Sequence, residues 1–332
     1  MCDRLATAYA KHVPDIPVRL LYDQDIAEAC EAHLTGSDEK LQDTKFGRKH
    51  GSQQVAIASH LRTMGLLDKK LCYIEFGAGK GGLSHCLAAA TEDKAWHLLI
   101  DRETRRRKDD RLHRRQGYSR RRVDIRHLVL SGLKEELGER DIVAVGKHLC
   151  GVATDLTLRC LEKASSDGLE VRGLGVALCC HHCCTWRSYV GKTFLEDLGF
   201  NEKDFRLLVK LSSWATSGME EASKNEAKSK VEAEAEANVE TKLAVNAGLE
   251  QVEECAEQKR KREIGLFAKR LIDMGRISFV RSQGLEGRLV QYSEGGNGVG
   301  SIENILLLVE RPPAPSAPPS AVGVAVAKYM TL

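Results

Sequence analysis

The chain has 332 residues, enough for one large α/β domain with a substantial core and tails. Lysine and arginine number 50 against 47 acids, a net charge of +3 that hides one strongly basic stretch and one acidic stretch. Eleven cysteines, an odd number with no apolar leader, argue against a disulfide framework and for a reducing intracellular compartment, cytoplasmic or nuclear; no run approaches the roughly 18 apolar residues a membrane span needs.

In chain order, residues 1–45 read as an N-terminal arm with a helix: 1–17, with Pro14 and Pro17, as a loose segment, and 18–34 as helical. A main domain is expected over 46–311 and a flexible Pro/Ala-rich tail over 312–332. Val55, Ile57, Ala58, Leu61, Met64 and Leu66 recur at helical spacing and should cover the first strand, Leu71 to Phe76. That strand carries Glu75 and breaks into Gly77, Gly79, Gly81 and Gly82 before Leu83, Cys86, Leu87 and Ala90 resume a helical face. Strand, glycine loop and helix start together make a place where a nucleotide-like cofactor can approach the backbone. Gly77, Gly79 and Gly82 fit the dinucleotide pattern G-x-G-x-x-G, whereas Gly77, Gly79 and Gly81 fit the tighter G-x-G-x-G of S-adenosylmethionine-dependent methyltransferases. Glu75, two residues ahead of the first glycine, tilts the reading toward the latter.

Trp96–Asp101 is the second strand, and Asp101 follows Gly77 at close to the spacing at which an acid accepts hydrogen bonds from a cofactor ribose. Arg102 to Arg122 then holds ten arginines, Lys108 and only three acids. Such a stripe suits phosphate contacts with nucleic acid, with Arg105, Arg106, Arg107, Arg114 and Arg115 as candidates. A 2′-phosphate site for NADP would need one or two arginines. Val123-Asp124-Ile125 should end the third strand, setting Asp124 near the adenine edge of a cofactor. A fourth run, Asp141–Val145, leads into Lys147-His148, and a fifth, Gly173–Leu178, into Cys179-Cys180-His181-His182-Cys183-Cys184. Polar groups past strand ends are site candidates in open α/β sheets. Adjacent residues on an extended backbone point opposite ways, so the Cys-His cluster is not expected to bind a metal.

Residues 187–216 look helical, and 219–258 read as a charged low-complexity insertion, a solvated helix or a disordered one. Two β-like runs, Arg276–Arg281 and Ile302–Glu310, flank a Gly-rich loop and would form a terminal hairpin. The expected fold is α/β, a Rossmann-like methyltransferase fold with a mostly parallel seven-stranded sheet and that hairpin at its edge.

Four segments, Glu75–Gly81, Lys147–Gly151 with Ala153–Leu156, Ala177–His182 and Ser212–Thr216, together resemble the eukaryotic tRNA 2′-O-ribose methyltransferases that modify the fourth nucleotide of the acceptor stem. The resemblance runs from about residue 18 to 311 and lacks the family's zinc-finger segments ahead of the glycines. It implies S-adenosylmethionine as cofactor and tRNA as partner, with no membrane and no obligate protein partner inferred. It implies attack of a ribose 2′-oxygen on the sulfonium methyl, with Lys147 the first candidate for favouring the alkoxide. His148, His181 and His182 are the alternative bases, and Asp155 would position a lysine or histidine. Rival readings are a methyltransferase acting on a base or a protein, an NADP-dependent oxidoreductase, and a non-catalytic RNA-binding scaffold.

Overall fold

Alternation decides how the central strand sits. In β1 (Cys72–Phe76), Cys72, Ile74 and Phe76 pack to one side and Tyr73 to the other, every residue buried, as in a strand covered on both faces. The computed structural model describes residues 1–35, 45–103, 117–216, 256–294 and 303–312. In it β1 is joined by β2 (Trp96–Asp101), β3 (Tyr118–Arg122), β4 (Ile142–Cys150), β5 (Val171–Cys179), β6 (Glu286–Gln291) and β7 (Ile305–Glu310). The sheet of seven strands runs β3-β2-β1-β4-β5-β7-β6. Pairings from β3 to β5 are parallel, while β7 is antiparallel to both β5 and β6. The expected α/β class, mostly parallel with an antiparallel edge, is what the chain adopts.

Helices cover both faces. On one, Ile26 of α2 (Gln24–Thr35), Ile57 and Leu61 of α3 (Lys45–Thr63) and Leu87 of α4 (Gly82–Ala90) pack on Tyr73, Val145 and Leu306. The other face takes Leu137 of α5 (Lys134–Leu137), Leu158 and Leu161 of α6 (Val152–Ser166) and Ile277 near the end of a long C-terminal helix. A third cluster joins α1 (Cys2–His12), α7 (Lys192–Asp197), α8 (Glu202–Ser212) and that long helix, α9 (Ala256–Ser282), through Leu5, Leu195, Phe205 and Leu271. No helix among the described residues is long and apolar enough to cross a membrane.

Several local expectations need correcting. Residues 2–12 are not a loose segment: α1 lies on α9, with Tyr9 stacked on Phe267 at 4.2 Å, and the following chain caps the β6 edge through Gln291 N to Pro17 O and Arg19 N to Gln291 O. Only Leu5 and Ala8 of α1 are buried, too few to show a period. Arg276–Arg281 is helix, not strand. Its β-branched residues mislead, but Met274, Ile277 and Val280 recur every third position and face the sheet core, and the hairpin partner of β7 is β6 instead. Residues 187–216 are broken at Gly199 (φ 77°), after which Asn201 and Asp204 form a capping box that starts α8. β3 stops at Arg122, so Asp124 lies beyond it and caps a short 3-10 turn, Ile125–His127. The expected insertion falls outside the described residues up to 255, and helix α9 begins at Ala256; the expected tail lies outside them from 313. Near its start α9 presses on the 3-10 turn Ser213–Thr216: a Cβ at Gly265 would stand 2.2 Å from Ala215 N.

Candidate functional site

The loop between β1 and α4 is built on glycine. Gly77, Gly79 and Gly81 have φ of 65°, 52° and 75°, a region that side-chain-bearing residues rarely enter. Beneath it, Glu75 accepts from the Ser84 amide at 2.9 Å and the Ser84 hydroxyl at 2.6 Å, satisfying an N-terminal amide that α4 leaves unpaired. Burial pushes the Glu75 carboxyl up to about 7, against the Ser84 hydrogen bonds and the nearby Arg120 and Lys147 cations. Glu75 therefore supports the loop from behind.

Asp101, at the end of β2, reaches the same loop from the front. Its carboxylate accepts from Gly79 N at 2.7 Å and from Glu103 N at 2.8 Å, while Arg120 donates to Gly79 O at 3.1 Å. Past the carboxyl ends of β1, β2 and β4 opens a cavity of about 360 Å³. That is where open α/β sheets bind ligands, and the volume falls within the roughly 300–1,000 Å³ of small-molecule sites. Gly77, Asp101, Asp124, Cys150 and Cys183 contribute to its wall, with Ile125 among the apolar lining. Asp124 is fixed by accepting from Arg126 N at 2.9 Å. Of the residues expected to contact a cofactor, Gly77, Asp101 and Asp124 thus converge on one cavity, Gly79 joins them through Asp101, and Glu75 and Gly81 are absent from its wall.

The catalytic candidates separate. Lys147 on β4 is buried, and its charge acts on Glu75 and on Cys86 of α4, which puts it on the α4 side of the sheet. His148 is the next residue of β4, its side chain outside the described residues, and His182 is exposed just past β5. His181 is 1% exposed and bonds Asp273 through Nε2 at 2.7 Å. Among the described side chains, Asp155 pairs with an arginine rather than with a lysine or histidine. Its carboxylate takes Arg276 at 2.9 and 3.2 Å and lies 3.5 Å from the Val190 amide. Arg276 also donates to Asp273 at 3.2 Å and to Gly151 O at 3.1 Å, and Arg270 meets Asp273 at 2.7 Å. Two carboxylates thus face two guanidiniums in the interior, so the balance needs no charge on His181. Burial lowers the His181 pKa, aided by Arg276 and Lys269 against Asp273. Asp273, despite its burial, is held well below the usual carboxylate range by His181, Arg270 and Arg276.

Arg105, Arg106, Arg107, Arg114 and Arg115 lie outside the described residues. At the end of the basic stretch, Arg120 serves the glycine loop and Arg121 pairs with Glu136. Sequence reading missed Asp273 and Arg276, whose signal is an acid and a base three apart between Leu271, Met274 and Ile277 of an apolar helical run, and it missed Cys150, whose position depends on strand pairing.

The family model for methyltransferase TRM13 matches residues 52–310. The human protein named tRNA:m(4)X modification enzyme TRM13 homolog is 32% identical over 311 residues, 78% of this chain and 64% of the human one. The mouse protein of the same name is 33% identical over 310 residues, 78% of this chain and 63% of its own. The tRNA:m(4)X modification enzyme TRM13 of Yarrowia lipolytica is 32% identical over 328 residues, 91% of this chain and 68% of its own. The chain therefore spans just under two thirds of the length of the mammalian relatives it matches. Since the matched span takes in every strand of the sheet and the cavity at its edge, the chain belongs to the TRM13 methyltransferase family.

Proposed function

We propose that this chain is the catalytic unit of a tRNA methyltransferase of Rossmann-like fold that uses S-adenosylmethionine to methylate a ribose 2′-hydroxyl in the acceptor stem. The observation that carries the reading is the cavity beyond β1, β2 and β4, where Asp101 is hydrogen-bonded to the glycine loop and Asp124 stands across an apolar wall. A ribose diol, an adenine edge and a compact cation fit that set of acceptors: each carboxylate keeps lone pairs for a hydroxyl or amino group, and Ile125 and Leu149 offer apolar surface to a ring. When bound, the cofactor supplies an electrophilic methyl on sulfur. The human and Yarrowia relatives are named as tRNA modification enzymes, which supports tRNA as the substrate. The arginines from Arg105 to Arg115 are its proposed phosphate contacts.

The chain's own task is to orient the acceptor and take its proton. Lys147 and His148, near the end of β4, and His182, just past β5, are the groups proposed to act on that hydroxyl, His182 being the exposed imidazole. Buried His181, bonded to Asp273, holds the turn that carries His182, and buried Asp155, tied to Arg276, holds the start of α6 beside the end of β4. The test is transfer of a labelled methyl group from S-adenosylmethionine to total tRNA, with mapping of the product. Methylation of a ribose in the acceptor stem, read as a linkage resistant to alkaline hydrolysis, is expected. Label on a base, on protein, or on nothing would overturn the reading.

A further inference from the structure

Parallel pairing of β4 with β5 puts Cys150 directly opposite Cys179, and their sulfurs lie 3.2 Å apart. The next residue, Cys180, should point away on an extended backbone. It does not, because Cys180 adopts the left-handed conformation (φ 46°, ψ 47°), a rare state for a residue with a side chain. That twist swings its thiol back, so the sulfurs of Cys150, Cys179 and Cys180 all lie within 4.8 Å of one another. Cys180 also opens a 3-10 turn that returns through Cys183, whose amide donates to Cys180 O at 2.9 Å. The turn is clamped against the end of β4: a Cβ at Gly151 would stand 2.7 Å from Cys183 Cβ and 2.9 Å from Cys180 O.

We propose that these four cysteines bind one zinc-class metal ion at the edge of the cofactor cavity. Thiolates are the preferred ligands of such ions, two-residue spacing of the kind joining Cys180 to Cys183 recurs in structural zinc sites, and closed structural sites are tetrahedral. Zn–S bonds of about 2.3 Å set ligand sulfurs about 3.8 Å apart, close to the spacing of the Cys150, Cys179 and Cys180 sulfurs, while Cys183, exposed and three residues on from Cys180, turns its side chain inward to close the site. The two nearest thiols are at hydrogen-bonding distance rather than bonded. The ion would join the ends of β4 and β5 and the wall that Cys150 and Cys183 give the cavity. The left-handed backbone at Cys180 then has a purpose, since that strain aims a ligand.

The experiment uses the full chain purified without chelator, with zinc counted by elemental analysis and zinc replaced by cobalt(II). About one zinc per chain is expected, with an intense thiolate-to-cobalt absorption band, and both should vanish in Cys150→Ser and Cys180→Ser. Since those variants could fail to fold, Cys183→Ser, at an exposed position, should keep the fold and weaken zinc binding at least about ten-fold. Chelation should lower the melting temperature of the parent chain. A folded parent without zinc or the cobalt band, a Cys150–Cys179 disulfide in non-reduced peptide maps, or unchanged zinc affinity in Cys183→Ser would overturn the site.

Discussion

Arg276 in α9 and Asp155 in the first turn of α6 meet at 2.9 Å with neither side chain exposed to solvent. They are far apart in sequence, and the guanidinium goes on to Asp273, Gly151 O and the Cys184 sulfur. One side chain thus ties the C-terminal helix to the start of α6, beside the cavity.

Removing it leaves two carboxylates short of a partner in the interior. Arg276→Ala should destabilise the fold by about 3–5 kcal/mol, and Arg276→Lys, a single point charge that lacks the planar fork, should not restore it. Denaturant unfolding checks this, and a loss under about 1 kcal/mol would mean the network contributes little.

A pH dependence follows from Glu75. Its folded pKa of about 7 exceeds the ordinary 4.5, so the folded state holds the proton more tightly. The associated stability is full below pH 4.5 and lost as pH rises through 7, on the order of 3 kcal/mol. Glu75→Gln keeps an acceptor for Ser84 and should flatten that part of the stability curve. Parallel curves for parent and variant would mean that the carboxyl titrates normally.

At the cavity, Asp101→Ala should weaken S-adenosylhomocysteine binding by about 1.5–3 kcal/mol, through loss of a charged acceptor and release of Gly79. Calorimetry on the folded variant measures it. Unchanged affinity would remove Asp101 from the site.

Rate and stability should part at the two histidines. His182→Ala should lower the single-turnover methylation rate by ~10²–10⁴-fold with ligand affinities kept, the range of a general base. His181→Ala should instead lower the melting temperature, since Asp273 loses a buried hydrogen bond. Equal rates in parent and His182→Ala would take His182 out of proton transfer.

Changing Arg105, Arg106, Arg114 and Arg115 together to Gln should weaken tRNA binding and flatten its salt dependence, because fewer counterions are released, while cofactor affinity holds. A preserved slope of log affinity against log salt would mean that these arginines do not touch phosphate.

What the sequence disclosed and withheld follows the range of the physics. The glycine loop, the strand end at Asp101 and the strand β7 rest on local pattern, and local pattern was enough; β4 instead runs on through Lys147 and His148 to Cys150, because pairing with β5 carries it past the apolar run that ends at Val145. Arg276 was misread because Ile277, Phe279 and Val280 favour strand locally, while a core contacted every third residue makes them helical. The pairing of Asp155 with Arg276 was not legible because the two stand 121 residues apart, a distance no spacing rule spans. The cysteines were set aside on the assumption of an extended backbone, which Cys180 does not obey.

The close approach of Gly265 to Ala215 also governs how this chain can vary. The 3-10 turn that ends at Thr216 and the helix α9 that begins at Ala256 stand on either side of residues 217–255, and the two elements are packed on each other. Closing a loop between ends already held together grows only logarithmically with its length, about 0.6 kcal/mol for each doubling. A change in the number of residues between Thr216 and Ala256 should therefore cost the sheet, the glycine loop and the buried ion network little, because the elements on either side hold each other in place.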